Sequence, residues 1–108
     1  MPDRLEQLLQ FYEDDPDDAF TRFALAREYL KRGETQKALS FFEELREDDP
    51  EYVGTYYHLG KLYEKLDRPD DAEATYEAGI GQAEKQRDQH ARSELQDALL
   101  EVQGVGFE

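Results

Sequence analysis

The sequence repeats itself at an interval of 34 residues, and this repeat constrains the fold more than any other feature of the chain. The tetrapeptide Glu-Asp-Asp-Pro at residues 13–16 returns at residues 47–50. Two spaced motifs, Leu-small-x-x-Tyr and Ala-x-x-x-aromatic, return at the same interval. Their members are Leu25, Ala26, Tyr29, Ala38 and Phe42 in the first copy and Leu59, Gly60, Tyr63, Ala72 and Tyr76 in the second. The chain therefore contains two copies of one structural unit.

Apolar residues within each copy recur every three or four positions, which is the spacing of a helix with one buried face. Gly33 is placed where the first helix of the first copy should end, because glycine adopts the left-handed conformation of a helix C-terminus without strain. Pro16, Pro50 and Pro69 follow or lie near an aspartate, which suits an N-cap followed by proline at the first helical position. The predicted fold is all-α without strands, with six helices at about residues 3–13, 17–32, 35–47, 51–66, 69–86 and 88–102.

The composition limits the classes of protein to which the chain can belong. A length of 108 residues suits one domain, and the lack of cysteine excludes disulfides and thiolate metal sites. With 13 basic and 27 acidic residues the net charge is -14, so most of the surface repels nucleic acid and anionic membranes. No apolar segment approaches the roughly 18 residues of a membrane span, and no secretion signal is identified. We therefore expect a cytoplasmic protein that binds neither nucleic acid nor membrane.

The repeated motifs resemble those of the tetratricopeptide repeat (TPR) family, whose helix-turn-helix unit has Leu-Gly/Ala-x-x-Tyr in its first helix and Ala-x-x-x-Phe in its second. The resemblance extends from Ala19 to about Gln86 and implies a TPR-type array with repeats at residues 19–52 and 53–86. The sequence departs from the family pattern at Arg22, where tryptophan is frequent. The small residues of the motifs are those that let the two helices of a repeat approach closely.

The segments that flank the two repeats are predicted to cover the ends of the stack, because two repeats alone expose apolar surface at both ends. The first helix has apolar residues at helical spacing and corresponds to the second half of a truncated repeat. The last helix, residues 88–102, has one apolar stripe and is predicted to be a cap. The predicted single domain covers residues 1–103, and residues 104–108, which have two glycines and no periodicity, are predicted to be disordered.

Groups that could carry catalysis or bind a metal have weak signals in this sequence. The acidic clusters at residues 13–18 and 47–51 lack the alternation of a calcium loop, and a proline interrupts each of them. His90 and Ser93 lie three residues apart on a predicted helix, which offers neither an oxyanion hole nor the strained turn of a nucleophile. We therefore predict no catalytic residue, no metal site and no cofactor, and we do not expect an enzyme.

Aromatic and basic residues recur together on the first helix of each repeat. In both copies an aromatic residue is followed after one turn by a basic residue, and a second basic residue lies one turn further on. In TPR proteins this helix face lines a concave groove, so the resemblance implies that the groove holds a peptide or a partner helix. The predicted partner-binding residues are Phe20, Phe23, Arg27, Lys31, Tyr57, His58, Lys61, Lys65 and Arg92.

Two interpretations of these residues remain open at the level of sequence. The basic side chains either contact a partner or pair with carboxylates such as Glu28 and Glu64 as a solvated face. His58 is either a hydrogen-bonded structural residue or a ligand contact. Some TPR proteins form a clamp that holds the C-terminal carboxylate of a chaperone, and we do not expect that clamp here. Among the positions that correspond to it, only Arg92 agrees with the clamp, and Asp88 reverses a charge.

The predicted function is noncatalytic protein–protein interaction. An acidic molecule with a basic, aromatic stripe suggests a protein or peptide partner that carries carboxylates and apolar anchors. The alternative is a self-associating scaffold, in which the terminal helices join two copies of the chain. The expected oligomeric state is therefore a monomer or a weak homodimer.

Overall fold

The computed structural model describes residues 3–104 and contains six α-helices within them. They are α1 (Arg4–Asp14), α2 (Ala19–Lys31), α3 (Thr35–Asp48), α4 (Gly54–Lys65), α5 (Pro69–Gln86) and α6 (Gln89–Val102). No described residue forms a strand, and the predicted all-α fold is confirmed. The helix ends differ from the predicted ones by three residues at most. Within the described part of the chain, no helix combines the length and the apolar character needed to span a membrane.

The chain divides into two compact units, Met1–Tyr52 and Val53–Glu108. The N-terminal unit contains α1, α2 and α3, and the C-terminal unit contains α4, α5 and α6. The division falls at the boundary that the sequence predicted between the two repeats. The single domain over residues 1–103 stays a prediction, and the predicted disordered tail lies, apart from Gly104, outside the described residues.

In the N-terminal unit, α2 packs against α3 and α1 packs against α2. Four motif residues form the core together with Leu45: Leu25, Ala26, Ala38 and Phe42 are, like Leu45, 0% exposed. Full burial of a leucine or phenylalanine side chain stabilises a fold by about 1.5–3 kcal/mol. The α1 helix joins this core through Leu8, which is buried, and through an edge contact between the rings of Tyr12 and Phe41.

In the C-terminal unit, α5 packs against both α4 and α6, and α6 also contacts α4. Gly60 allows α4 to approach the buried ring of Tyr76, since a Cβ atom on Gly60 would lie 2.2 Å from Cε1 of that ring. Leu95 and Ala98 of α6 are buried. The α6 helix therefore buries its apolar face within this unit.

The turns before α2 and α4 correct one sequence prediction. Pro16 and Pro50 do not occupy the first helical position; each lies in a turn closed by a backbone hydrogen bond between residues three apart. The α2 helix begins only at Ala19, because the Asp18 side chain accepts hydrogen bonds from the backbone N–H and the hydroxyl of Thr21 and so caps the helix. Pro69 is the first residue of α5, as predicted.

The first helix of each repeat, α2 or α4, ends in the same kind of turn. Gly33 follows α2 with φ +81°, which confirms its predicted role, and Asp67 takes the equivalent place after α4 with φ +59°. This left-handed conformation is easy for glycine and tolerated by aspartate. The turn is therefore conserved between the two copies although the residue is not.

Arg22, which stands where tryptophan is frequent in the family, is buried. Its side chain donates a hydrogen bond from Nη2 to Oδ2 of Asp48 at 2.8 Å, across the α2–α3 pair. Its Nε atom is buried and has no hydrogen-bond partner among residues 3–104. An ion pair thus replaces an aromatic ring at this position.

Candidate functional site

The N-terminal unit presents an aromatic and basic face on α2, which we call the α2 surface and define as Phe20, Phe23, Arg27 and Lys31. Phe20 is 60% exposed, whereas Phe23 is half-buried. The Phe23 ring lies 5.5 Å from the ring of Tyr52, measured between centroids, and the Arg27 guanidinium lies over it at 5.8 Å. Contacts with Tyr52 and Arg27 therefore hold the Phe23 ring in place beside a cation.

Two positive charges of the α2 surface have no counter-ion among residues 3–104. Arg27 and Lys31 are exposed, and neither forms an ion pair with another described residue. Tyr52, beside Phe23, has its pKa raised by burial and by the charge of Asp18, so its hydroxyl stays protonated at neutral pH. The α2 surface can therefore offer an exposed ring and two cations to a ligand, and Tyr52 adds a neutral hydroxyl beside them.

The C-terminal unit presents the equivalent face on α4, which we call the α4 surface and define as Tyr57, His58, Lys61 and Lys65. The Lys61 ammonium lies 5.5 Å from the Tyr57 ring centroid, and the His58 ring meets the Tyr57 ring edge-on at the same distance. Lys65 is exposed and forms no ion pair with a described residue. The aromatic–cation pair of the first repeat thus recurs in the second.

Lys61 differs from its counterpart Arg27 because carboxylates lie near it. Its Nζ atom is 3.7 Å from Oε2 of Glu64 and 3.8 Å from Oε2 of Glu101, a residue of α6. Glu64 also accepts a hydrogen bond from the hydroxyl of Tyr76. Burial, together with this bond to Glu64, raises the pKa of Tyr76, so the hydroxyl remains a donor. The α4 surface is therefore partly neutralised from within its own unit.

Arg92, the remaining predicted site residue, lies in another part of the C-terminal unit. Its Nε atom donates to Glu84 at 3.1 Å, beside a cleft of about 190 Å³ at the turn between α5 and α6. Asp88, which also lines the cleft, caps α6 by accepting the backbone N–H of Ala91. No described contact joins Arg92 to Lys61. The structure therefore does not bring Arg92 together with the α4 surface.

Sequence reasoning missed two residues that the structure adds to these faces. Tyr52 follows a turn at the end of the first repeat, and Glu101 belongs to the last helix, on which sequence reasoning selected only Arg92 as a partner-binding residue. Neither has a signal in the spacing of the first helices, because each reaches its face through packing between elements. Among the described residues, no group of three or more histidine, aspartate and glutamate side chains is arranged to hold a metal ion.

Comparison with known proteins agrees with the repeated architecture. A family profile described as the tetratricopeptide repeat matches residues 29–95, which is more than half of the chain. A TPR repeat-containing protein of Pseudomonas aeruginosa is 29% identical over 79 residues, covering 73% of this chain and 75% of the relative. The chain belongs to the tetratricopeptide repeat family.

Solved structures extend this likeness to the backbone. The crystal structure of a tetratricopeptide repeat domain protein from Salinibacter ruber is 59% identical, with a TM-score of 0.79, and covers 82% of this chain and 98% of that one. A solution NMR structure from the same organism is 57% identical, with a TM-score of 0.81, and covers 87% and 95% of the two chains. The TPR fold supports a protein interaction or scaffold module, and the family is typically noncatalytic.

Proposed function

We propose that the protein binds a protein or peptide segment on the first-helix faces of its repeats, in the concave groove that the family resemblance implies. The segment carries carboxylates for the basic residues and apolar side chains for the rings. The partner-binding residues are Phe20, Phe23, Arg27 and Lys31 of the α2 surface, and Tyr57, His58, Lys61 and Lys65 of the α4 surface. Arg92 is left out, because it is engaged with Glu84 at the α5–α6 turn.

One observation carries this proposal: a cation lies over an aromatic ring at the same repeat position in both units. The pairs are Phe23 with Arg27, at 5.8 Å, and Tyr57 with Lys61, at 5.5 Å. A ring held beside a cation offers a partner an apolar contact and a charge within one side chain's reach. Rings and arginines of this kind are frequent among the residues that dominate binding energies.

The charge distribution favours an acidic partner at these faces and opposes one elsewhere. The protein has 14 more acidic than basic residues, so a carboxylate-rich segment is repelled by most of the surface. Arg27, Lys31 and Lys65 form no ion pair with a described residue and keep their charge available. Repulsion by the acidic remainder of the surface disfavours binding of the partner outside the basic faces and so contributes to specificity.

Selection from a random peptide library displayed on phage, with the full chain as bait, tests the proposal without a known partner. We expect the selected peptides to be enriched in aspartate and glutamate together with aromatic or aliphatic residues. A selected peptide, labelled with fluorescein, then serves as the probe for variants. Lys61→Glu and Arg27→Glu should each weaken its binding by about 2 kcal/mol or more, a loss of roughly thirtyfold, and Tyr57→Ala should weaken it as well.

The matched control is Lys37→Glu, on the second helix of the first repeat. Lys37 is exposed and contacts only Glu34 and the Tyr29 ring among the interactions described. The control makes the same change in net charge but lies on α3, away from the first-helix faces, so it should leave affinity nearly unchanged. Equal losses for Lys37→Glu and Lys61→Glu, no loss for Tyr57→Ala, or selection of peptides without acidic residues would contradict the proposal.

Self-association is the second candidate, and exposed apolar side chains on the terminal helices favour it. Phe11 of α1 is 58% exposed and Leu100 of α6 is 45% exposed. A contact between copies would bury these side chains, against the repulsion of two chains of charge -14. Sedimentation equilibrium in about 1 M NaCl, where screening reduces that repulsion, should then show a concentration-dependent dimer that Phe11→Glu or Leu100→Glu abolishes. A monomer at every concentration would exclude it.

A further inference from the structure

The Lys61 ammonium donates no hydrogen bond to the part of the chain that the structure describes. Its two carboxylate neighbours lie at 3.7 Å and 3.8 Å, which is beyond a direct hydrogen bond. Glu64 is already a hydrogen-bond acceptor for Tyr76. Lys61 therefore interacts with these two carboxylates through charge and forms no hydrogen bond with either of them.

Glu101 contacts Lys61 from another helix, α6, and its negative charge is unfavourable at its position in α6. It lies in the last turn of α6, where no basic residue is present to offset it. A negative side chain at a helix C-terminus is repelled by the helix dipole. The pairing with Lys61 is the described interaction that compensates this repulsion.

On the equivalent face of the N-terminal unit, no carboxylate of the described residues takes this place. Arg27 occupies the position of Lys61 in the first repeat and forms no ion pair with a described residue. The two faces therefore share the aromatic–cation pair but differ in charge. Glu101 is the side chain from a neighbouring helix that makes the difference.

We propose that Glu101 is an internal counter-ion that occupies the carboxylate position of the α4 surface, so that an acidic ligand has to displace it. Glu101 thereby lowers the affinity of Lys61 for ligand carboxylates, and the α2 surface is the stronger acid-binding face of the two. This inference rests on the proposed function for its biological meaning. The competition at Lys61 itself can be measured with a simple dicarboxylate.

The test uses the full chain with its five lysines labelled with ¹³C. Glutarate is titrated at pH 7 and about 20 mM NaCl, and the half-saturation concentration is read from the Lys61 ¹³Cε signal. Removal of an exposed ion-pair partner has effects of up to several-fold, so Glu101→Gln should lower this concentration two- to fivefold. The Lys65 signal, from a lysine without an ion pair to a described residue, should titrate alike in both proteins.

Glu94→Gln is the matched control, because it removes the same charge from the same helix. Glu94 forms no ion pair with a described residue and lies seven residues before Glu101, about 10 Å along the axis. It should leave the Lys61 titration nearly unchanged. The same half-saturation in the wild type and Glu101→Gln, or an equal fall in Glu94→Gln, would overturn the inference. Circular dichroism melting of both variants verifies that the fold is intact.

A second arm separates this inference from the proposed function. The fluorescein-labelled peptide from the phage selection should bind Glu101→Gln two- to fivefold more tightly than the wild type. If no peptide is selected but glutarate still distinguishes Glu101→Gln, the inference stands and the proposed function falls. If peptides bind but neither probe responds to Glu101→Gln, the inference falls and the proposed function stands.

Discussion

At the scale of single residues, two glycines of α5 differ in what an added methyl group would meet. A Cβ atom on Gly79 would lie 2.5 Å from Cβ of Tyr56 and 3.0 Å from Cδ1 of Leu95, whereas one on Gly81 would have no such neighbour within 4 Å. Gly81→Ala should therefore raise the free energy of unfolding by about 0.5–1 kcal/mol, because alanine is the better helix former. Gly79→Ala should lower it by about 1–3 kcal/mol through overpacking.

Urea unfolding followed by circular dichroism measures both changes on the same helix. The two variants add the same methyl group two residues apart, so each serves as the control for the other. Changes of the same sign would mean that local helix propensity, and not contact with α4 and α6, decides the effect of both substitutions.

The effects of substitutions at these residues cannot be predicted from the sequence where they depend on contacts between helices. The sequence shows two glycines, Gly79 and Gly81, in one predicted helix, but which of them packs closely depends on Tyr56 and Leu95, which come from other helices. Arg22 is similar. The repeat motif shows that an arginine replaces the frequent tryptophan, yet its pairing with Asp48, 26 residues later in the chain, depends on how α2 and α3 pack.

At the scale of helices, α2 depends on the cap that Asp18 provides. The Asp18 carboxylate accepts the hydroxyl of Thr21 at 2.7 Å and its backbone N–H at 2.9 Å, and these bonds lower the pKa of Asp18 below its ordinary value. The folded state therefore favours the ionised form. The ionised Asp18 cap therefore stabilises the folded state fully at pH values above the ordinary pKa of 3.8. This stabilisation is lost as the pH falls through the lower pKa that Asp18 has in the folded state.

Asp18→Ala should accordingly reduce the free energy of unfolding by about 1 kcal/mol at pH 7. The difference from the wild type should shrink as the pH is lowered below 3.8, because protonation then weakens the wild-type cap. Urea unfolding at a series of pH values measures it. Asp17→Ala, which removes an exposed acid from the same turn, is the control. A loss that is equal for the two variants, or independent of pH, would contradict the capping role.

Helix number and extent were predictable because the repeat fixes α2 to α5 and the spacing of apolar residues indicates α1 and α6. The errors concentrate before α2 and α4, where proline suggested a helix start and the backbone instead makes a further turn. The face that carries Phe23 and Arg27 was also predictable, since it depends on spacing within one helix. The Lys61–Glu101 contact was not, because it depends on how α6 lies against α4.

At the scale of the whole molecule, charge opposes folding at low ionic strength. Acidic residues outnumber basic ones by 27 to 13, so at least half of the carboxylates have no cation to pair with one to one. Glu13 and Glu47 lie in the last turns of α1 and α3, where the helix dipole also disfavours a negative charge. Bringing these charges together costs free energy that screening by salt reduces.

Salt should therefore raise the melting temperature. The screening length falls from about 30 Å at 0.01 M to about 3 Å at 1 M, which removes most repulsion between exposed carboxylates. Screening also weakens the exposed ion pairs, but each of these contributes only about 0–1 kcal/mol, so the repulsion dominates. We expect the melting temperature measured by calorimetry to rise by several degrees, since about 1 kcal/mol corresponds to roughly 4–8 °C for a domain of this size.

A triple variant tests whether exposed carboxylates cause this response: Glu13→Gln, Glu44→Gln and Glu47→Gln change exposed acids that form no ion pair with a described residue. The variant should melt at a higher temperature than the wild type in 0.01 M NaCl and respond less to added salt. Sucrose in place of NaCl separates screening from general solvent effects, because it carries no charge. A melting temperature that stays constant or falls between 0.01 M and 1 M NaCl would show that ion pairs, and not repulsion, dominate the electrostatics of this fold.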